Sequence, residues 1–321
     1  MAPKPGFDRR ALFKGGLAVT AIGSLGALHT APAAAQGRKV AEPVIHGTGV
    51  WGARQPDQPI DILDRKPTYI VVHHTVEPGN TDDFSRERAF KISRDIQTFH
   101  MDTRGWGDSG QQFTNSRGGF ITEGRHHSLD VLRGGVRHVL GANVADHNSE
   151  VVGIENEGLY TEVDVPAALW GSLVSLVAYI ADQYGITPEF IKGHRDFNST
   201  ECPGGVLYGR LPELREAVGA ELGVKVDQPR EWPLLKPGDT GEKVRIAQEL
   251  LRARGSDVVV DGIFGEPTAE AVRSLAESNG LGVPSCSAAA LADERAFLGS
   301  DIWPLLSADT DRQALKERLA G

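Results

Sequence analysis

Apolar positions along this chain follow two periods. Residues 68–75 read Thr-Tyr-Ile-Val-Val-His-His-Thr, a β-branched run that ends near Pro78-Gly79 and predicts a buried strand entering a loop. Residues 151–155, Val-Val-Gly-Ile-Glu, predict another strand. Ala89, Ile92, Ile96 and Phe99 recur at helical spacing. So do Leu169, Leu173, Leu176, Val177 and Ile180, with Pro166 and Gly185 as punctuation at the two ends. Residues 112–115 and 120–122 flank Arg117-Gly118-Gly119, a hairpin pattern. A short helix over 211–222 closes the region. Strands and helices alternate, so residues 63–222 are expected to form an α/β domain. Residues 36–62 are polar and Pro-rich and read as a lead-in segment; residues 223–235, with Pro229, Trp232 and Pro233, read as a linker. From 236 to 310 the period is helical throughout. Val244, Ala247 and Leu251 make one stripe and Ala271, Val272 and Leu275 another, on either side of the turn Asp261-Gly262-Ile263-Phe264-Gly265. A small all-α domain is expected there.

The first 35 residues fit neither domain. Asp8-Arg9-Arg10-Ala11-Leu12-Phe13-Lys14 precedes an apolar run to Leu28 and then Ala33-Ala34-Ala35. A basic start, a short apolar core and a small-residue cleavage site are the parts of a secretory signal. The arginine pair resembles a twin-arginine signal, which implies export in the folded state. The apolar run is too short and Gly-rich to span a bilayer, although an uncleaved anchor is the competing reading. Cleavage after Ala35 would remove +3 from a net charge of −9 and leave −12. Such acidity argues against nucleic acid or an acidic membrane surface as partner. The length of 321 residues fits two domains, and two cysteines, Cys202 and Cys286, cannot build a disulfide framework.

The candidate chemistry lies in two places. Gly193-His194-Arg195-Asp196-Phe197-Asn198-Ser199-Thr200-Glu201-Cys202-Pro203-Gly204 places a His and a Cys eight apart in a loop-forming segment, where both can reach one cation. A third ligand could come from His73-His74. Strand neighbours point to opposite faces, so only one of that pair can join. Two His and one Cys with an open fourth position is a catalytic zinc arrangement. Taken singly, a His pair is also compatible with core or surface packing, and a lone Cys with a small buried hydrophobe.

Val72-His73-His74-Thr75, Gly193-His194-Arg195-Asp196 and Thr200-Glu201-Cys202-Pro203-Gly204 together resemble the zinc-dependent N-acetylmuramoyl-L-alanine amidases, the family shared by peptidoglycan recognition proteins and small phage amidases. Trp106-Gly107-Asp108-Ser109-Gly110-Gln111, Glu123-Gly124-Arg125, His147-Asn148-Ser149 and Gly153-Ile154-Glu155-Asn156-Glu157-Gly158 follow the family's order. The resemblance covers roughly residues 65–218. It implies a central mixed β-sheet flanked by helices, with a groove over Zn2+ held by His73, His194 and Cys202, and it leaves His74 structural. It implies hydrolysis of the amide joining N-acetylmuramic acid to L-alanine. Glu155 matches the family's general acid/base. Glu157 shares its strand face and could approach the groove too. Gln111 stands where relatives often place a Tyr that donates to the substrate oxygen; a Gln amide also offers donors. Thr200 stands where some relatives carry Lys and could hydrogen-bond the oxyanion. Trp106, Arg125 and Asn148 are secondary groove candidates, while His100, His126, His127 and His138 match no ligand position.

Leu235-Lys236-Pro237-Gly238-Asp239-Thr240-Gly241 and the Asp261–Gly265 turn resemble the start and the middle of the three-helix peptidoglycan-binding domain of wall hydrolases. The expected partners are peptidoglycan or muropeptides. Two readings follow: an exported zinc amidase anchored by its own binding domain, or a binding or sensing protein that kept the groove without hydrolysis. Cys202 favours the enzyme, because non-catalytic recognition proteins typically lose that ligand. Gln111 keeps the second reading open.

Overall fold

A two-residue strand too short to carry any period frames the large sheet at one edge. A computed structural model of the chain describes residues 40–281, 294–308 and 310–320. The segment read as a secretory signal and Cys286 lie outside the described residues. The strands are β1 (Ile45–His46), β2 (Ile62–Leu63), β3 (Tyr69–His74), β4 (Phe113–Asn115), β5 (Ile121–Glu123), β6 (His138–Val139), β7 (Val151–Asn156) and β8 (Ile191–Gly193). Six of them form one sheet in the order β1-β5-β4-β7-β3-β8, while β2 and β6 pair antiparallel in a second. Only the β4–β5 hairpin is antiparallel in the large sheet, so it is mixed.

The helices of the first domain are α1 (Thr48–Trp51), α2 (Arg86–Thr98), α3 (Ser128–Gly134), α4 (Ala167–Tyr184), α5 (Gly205–Gly209) and α6 (Leu211–Leu222). The apolar stripe of α4 is fully buried at Leu169, Leu173, Leu176 and Val177. It packs with α6 on Ile70, Val72, Val152 and Ile154 of the sheet. The helix ends at Gly185, whose φ of 73° is the left-handed geometry that glycine adopts without strain. The segment read as a lead-in does more than lead in. It supplies β1, α1 and β2, and its Trp51 is buried with the indole N–H donating to the Glu123 carbonyl at 2.8 Å.

Strand parity then decides the site. Ile70 and Val72 face the α4 core, so Val71 and His73 face the other side of the sheet. In register with them, Val71 lies beside Gly153 and His73 beside Glu155, and Thr114 of β4 also pairs with Glu155. His73, Glu155 and Thr114 therefore form one row on the face opposite α4.

The C-terminal helices are α7 (Glu242–Ala253), α8 (Glu266–Ser278), α9 (Trp303–Leu306) and α10 (Arg312–Ala320). Their core gathers Val244, Leu251, Phe264, Val272, Trp303 and Leu315. Leu319 also belongs to it, past residue 310 where the expected domain ends. Residues 223–235 form no helix or strand but are packed down. Trp232 stacks on Trp303 at 5.6 Å between centroids, and the Trp303 indole N–H donates to the Pro233 carbonyl at 2.7 Å. Both cores belong to one compact unit.

Candidate metal centre

Short β8 delivers the chain into a tight turn at His194–Asp196. The Asp196 carboxylate caps that turn by accepting from the Gly193 N–H at 2.8 Å. The segment then folds back on itself: the Arg195 N–H donates to the Cys202 carbonyl at 3.0 Å and the Arg195 guanidinium to the Glu201 carbonyl at 2.6 Å. This return brings the ends of the eight-residue spacing together. One donor atom from each of His73, His194 and Cys202 lies within 4.8 Å of the others, and all three residues are buried. Cys202 Sγ is 3.6 Å from His73 Nδ1, and the two imidazole rings are 4.7 Å apart at their centroids. His194 Nε2 is 3.1 Å from Asn198 Oδ1, which orients the ring.

Burial, reinforced by the neighbouring His194, holds the His73 pKa well below the usual imidazole range. Its ring is neutral and keeps a lone pair to offer. His74, on the opposite face, accepts from the Tyr160 N–H at 3.4 Å and is pushed down to about 3 by burial and by Arg195. His74 stays out of the ligand group, as strand parity requires.

Glu155 is fully enclosed, and burial pushes its carboxyl up to about 8. Its Oε2 has no hydrogen-bond partner among the described residues. Glu157 is placed otherwise. Its carboxylate accepts from Arg88 Nε at 2.7 Å and from the Arg117 N–H at 3.0 Å, so it is held in a buried structural ion pair. Gln111 is buried and one amide N–H donates to Thr114 Oγ1 at 2.9 Å. Thr200 donates its single hydroxyl proton to Glu294 at 3.0 Å and accepts from the Cys202 N–H at 3.2 Å.

The secondary candidates serve the frame. Asn148 caps the Asn143 and Val144 amides, Trp106 packs on His100, and the Arg125 N–H donates to the Gln111 carbonyl. His126 binds Asp108, and His138 binds the Arg65 and Ser149 carbonyls. Three neighbours of the site escape sequence reasoning. Asn198 sits inside the informative loop but carries no motif of its own. Asn143, beside His73, comes from a loop with no period. Glu294 arrives from the other domain, beyond any local pattern.

Against known proteins, residues 63–205 match the family model described as N-acetylmuramoyl-L-alanine amidase, and residues 242–297 match one described as Predicted Peptidoglycan domain. The chain is similar to Peptidoglycan-recognition protein LB of Drosophila melanogaster, 30% identical over 162 residues, which are 50% of this chain and 64% of that protein. It is 31% identical over 172 residues to the N-acetylmuramoyl-L-alanine amidase of Homo sapiens, 53% of this chain and 28% of the relative. It is 31% identical over 162 residues to Peptidoglycan recognition protein 1 of Bos taurus, 50% of this chain and 78% of the relative. The chain thus spans less than two thirds of the length of the fly and human relatives.

Proposed function

The chain belongs to the N-acetylmuramoyl-L-alanine amidase family, and from that premise we propose that it is an exported zinc hydrolase cutting the amide between N-acetylmuramic acid and L-alanine in peptidoglycan or muropeptides. The observation that carries this reading is the convergence of His73, His194 and Cys202, with Glu155 in register beside His73.

The donor set fits zinc. Two imidazole nitrogens and one sulfur are borderline-soft ligands, and three protein ligands leave a fourth position for substrate or water. A tetrahedral ion about 2.3 Å from sulfur and about 2.0–2.1 Å from nitrogen holds those ligands about 3.5–3.6 Å apart; Sγ and Nδ1 are 3.6 Å apart here. When bound, zinc would polarise the scissile carbonyl and activate a water for attack.

The protein's own groups supply the rest. Glu155 exchanges the proton at its unpartnered Oε2, first taking it from the nucleophile and then giving it to the leaving amine. Gln111 spends one amide N–H on Thr114 and offers the other to the developing oxyanion. Thr200 has committed its proton to Glu294, so its part is to hold the Cys202 backbone. The C-terminal domain would bind the same polymer and raise the local concentration of cleavable bonds. The basic, apolar and small-residue pattern of residues 1–35 supports export. Among the described residues no helix is long and apolar enough to cross a membrane.

The test is to incubate the protein with purified peptidoglycan and follow new L-alanine amino termini. Glu155→Gln should keep its zinc and lose about 10²–10⁴ in turnover. If a zinc-loaded wild type releases no termini from several wall types, the binding-only reading takes over.

A further inference from the structure

The C-terminal domain reaches the metal centre through two carboxylates. Glu294 lies in a turn at Glu294–Ala296, and its Oε1 accepts from the Thr200 hydroxyl at 3.0 Å and from the Glu201 N–H at 2.9 Å. Asp301, just before α9, accepts from the Ser199 N–H at 3.1 Å and from the Ser199 hydroxyl. The Gly299 N–H donates back to Ser199 Oγ at 2.8 Å. The approach is backbone-close: a Cβ on Gly299 would lie 2.7 Å from Ser199 Cα. These contacts fall on the residues immediately before Cys202. Residues 197–202 form no helix or strand; the Phe197, Asn198 and Thr200 amides find backbone carbonyls within the loop, whereas those of Ser199, Glu201 and Cys202 depend on side-chain acceptors. Thr200 passes the restraint on, because the oxygen that donates to Glu294 also accepts from the Cys202 N–H.

We propose that Glu294 and Asp301 are positioning residues of the metal centre: the C-terminal domain locks the Cys202 loop and so sets its sulfur against His73 and His194. Beyond any role in holding wall polymer, that domain is then part of what makes the ligand set. The inference rests on reading His73, His194 and Cys202 as zinc ligands. Outer partners of this kind fix ligand orientation, and losing one lowers metal affinity about 10–100-fold.

The experiment uses the full chain and three readouts. These are zinc affinity by competition with a chelating dye, the visible spectrum of the cobalt-substituted protein, and hydrogen exchange at the Ser199 and Glu201 amides without metal. Glu294→Ala and Asp301→Ala should weaken zinc binding about 10–100-fold, shift the cobalt bands and speed exchange at both amides. Glu294→Gln keeps an oxygen acceptor at the same place and should restore all three. Lys236→Ala removes a neighbouring interdomain ion pair with the Glu201 side chain (2.6 Å, Lys side chain 40% exposed) but leaves both carboxylate acceptors and the amides they hold in place, and should change none. If Glu294→Ala does not fold, Thr200→Val breaks the same relay and should weaken zinc alike. Unchanged affinity, spectrum and exchange in the alanine variants would overturn the proposal. A wild type that binds no zinc would instead refute the ligand reading, and exchange at Ser199 and Glu201 would still decide the clamp.

Discussion

Gly153 is a position where a single methyl group should damage the site. It lies on β7 two residues before Glu155 and on the same face. A Cβ there would sit 2.6 Å from Asn143 Cγ and 2.9 Å from Nδ2, inside van der Waals contact. Asn143 has little room to yield. It is buried, its Nδ2 donates to the Gly110 carbonyl at 3.0 Å and to Gln112 Oε1 at 3.3 Å, and it lies beside the His73 ring. Gln112 Oε1 in turn accepts from the Gly153 N–H at 2.7 Å. Overpacking of this sort costs about 1–3 kcal/mol, and one lost hydrogen bond adds about 0.5–1.5 kcal/mol. Gly153→Ala should therefore lose about 2–4 kcal/mol in urea unfolding at unchanged m-value. Asn143→Ala should also destabilise, but the double variant should cost less than the sum by at least about 1 kcal/mol, since the clash is then gone. A Gly153→Ala protein within about 0.5 kcal/mol of wild type, or strict additivity in the cycle, would refute the packing argument.

Further outcomes follow from other buried groups. Arg88→Ala leaves the Glu157 carboxylate, fully buried, without its ion partner, and should cost about 3–5 kcal/mol in thermal or urea unfolding; an Arg88→Met, Glu157→Gln pair should recover most of that loss. Burial alone would raise the Asp108 pKa, but the His126 ring and amide N–H groups and the Gln97 amide outweigh it and hold the carboxyl below its ordinary 3.8. Its contribution to stability is thus present above that value and lost as pH falls through the lower folded-state value. Asp108→Asn should lower the melting temperature near neutral pH and flatten its fall below about pH 4.

What the sequence made legible is what has a local period or a local motif. The β-branched run gave β3, and its parity required that one histidine of the pair face the site and the other the core. Choosing His73 from residues alone was beyond it. That follows from the register that sets His73 beside Glu155, a property of strand order. Glu155 and Glu157, alike in spacing, part company because β7 ends at Asn156 and Arg88 of α2 claims the second carboxylate. β1 and Trp51 were invisible because two residues cannot show alternation. The Glu294 contact joins residues 94 positions apart and is made by side chains at a domain junction, so no window along the chain contains it.

The central claim is that His73, His194 and Cys202 hold one zinc ion that this protein uses to hydrolyse the muramoyl–alanine amide. Zinc content and release of L-alanine amino termini, measured on one preparation of wild type and of Cys202→Ser, test it most directly. The account predicts about one zinc per chain in wild type, with release, and loss of both in the variant. Cys202→Ser protein that retains full zinc and full release would contradict it.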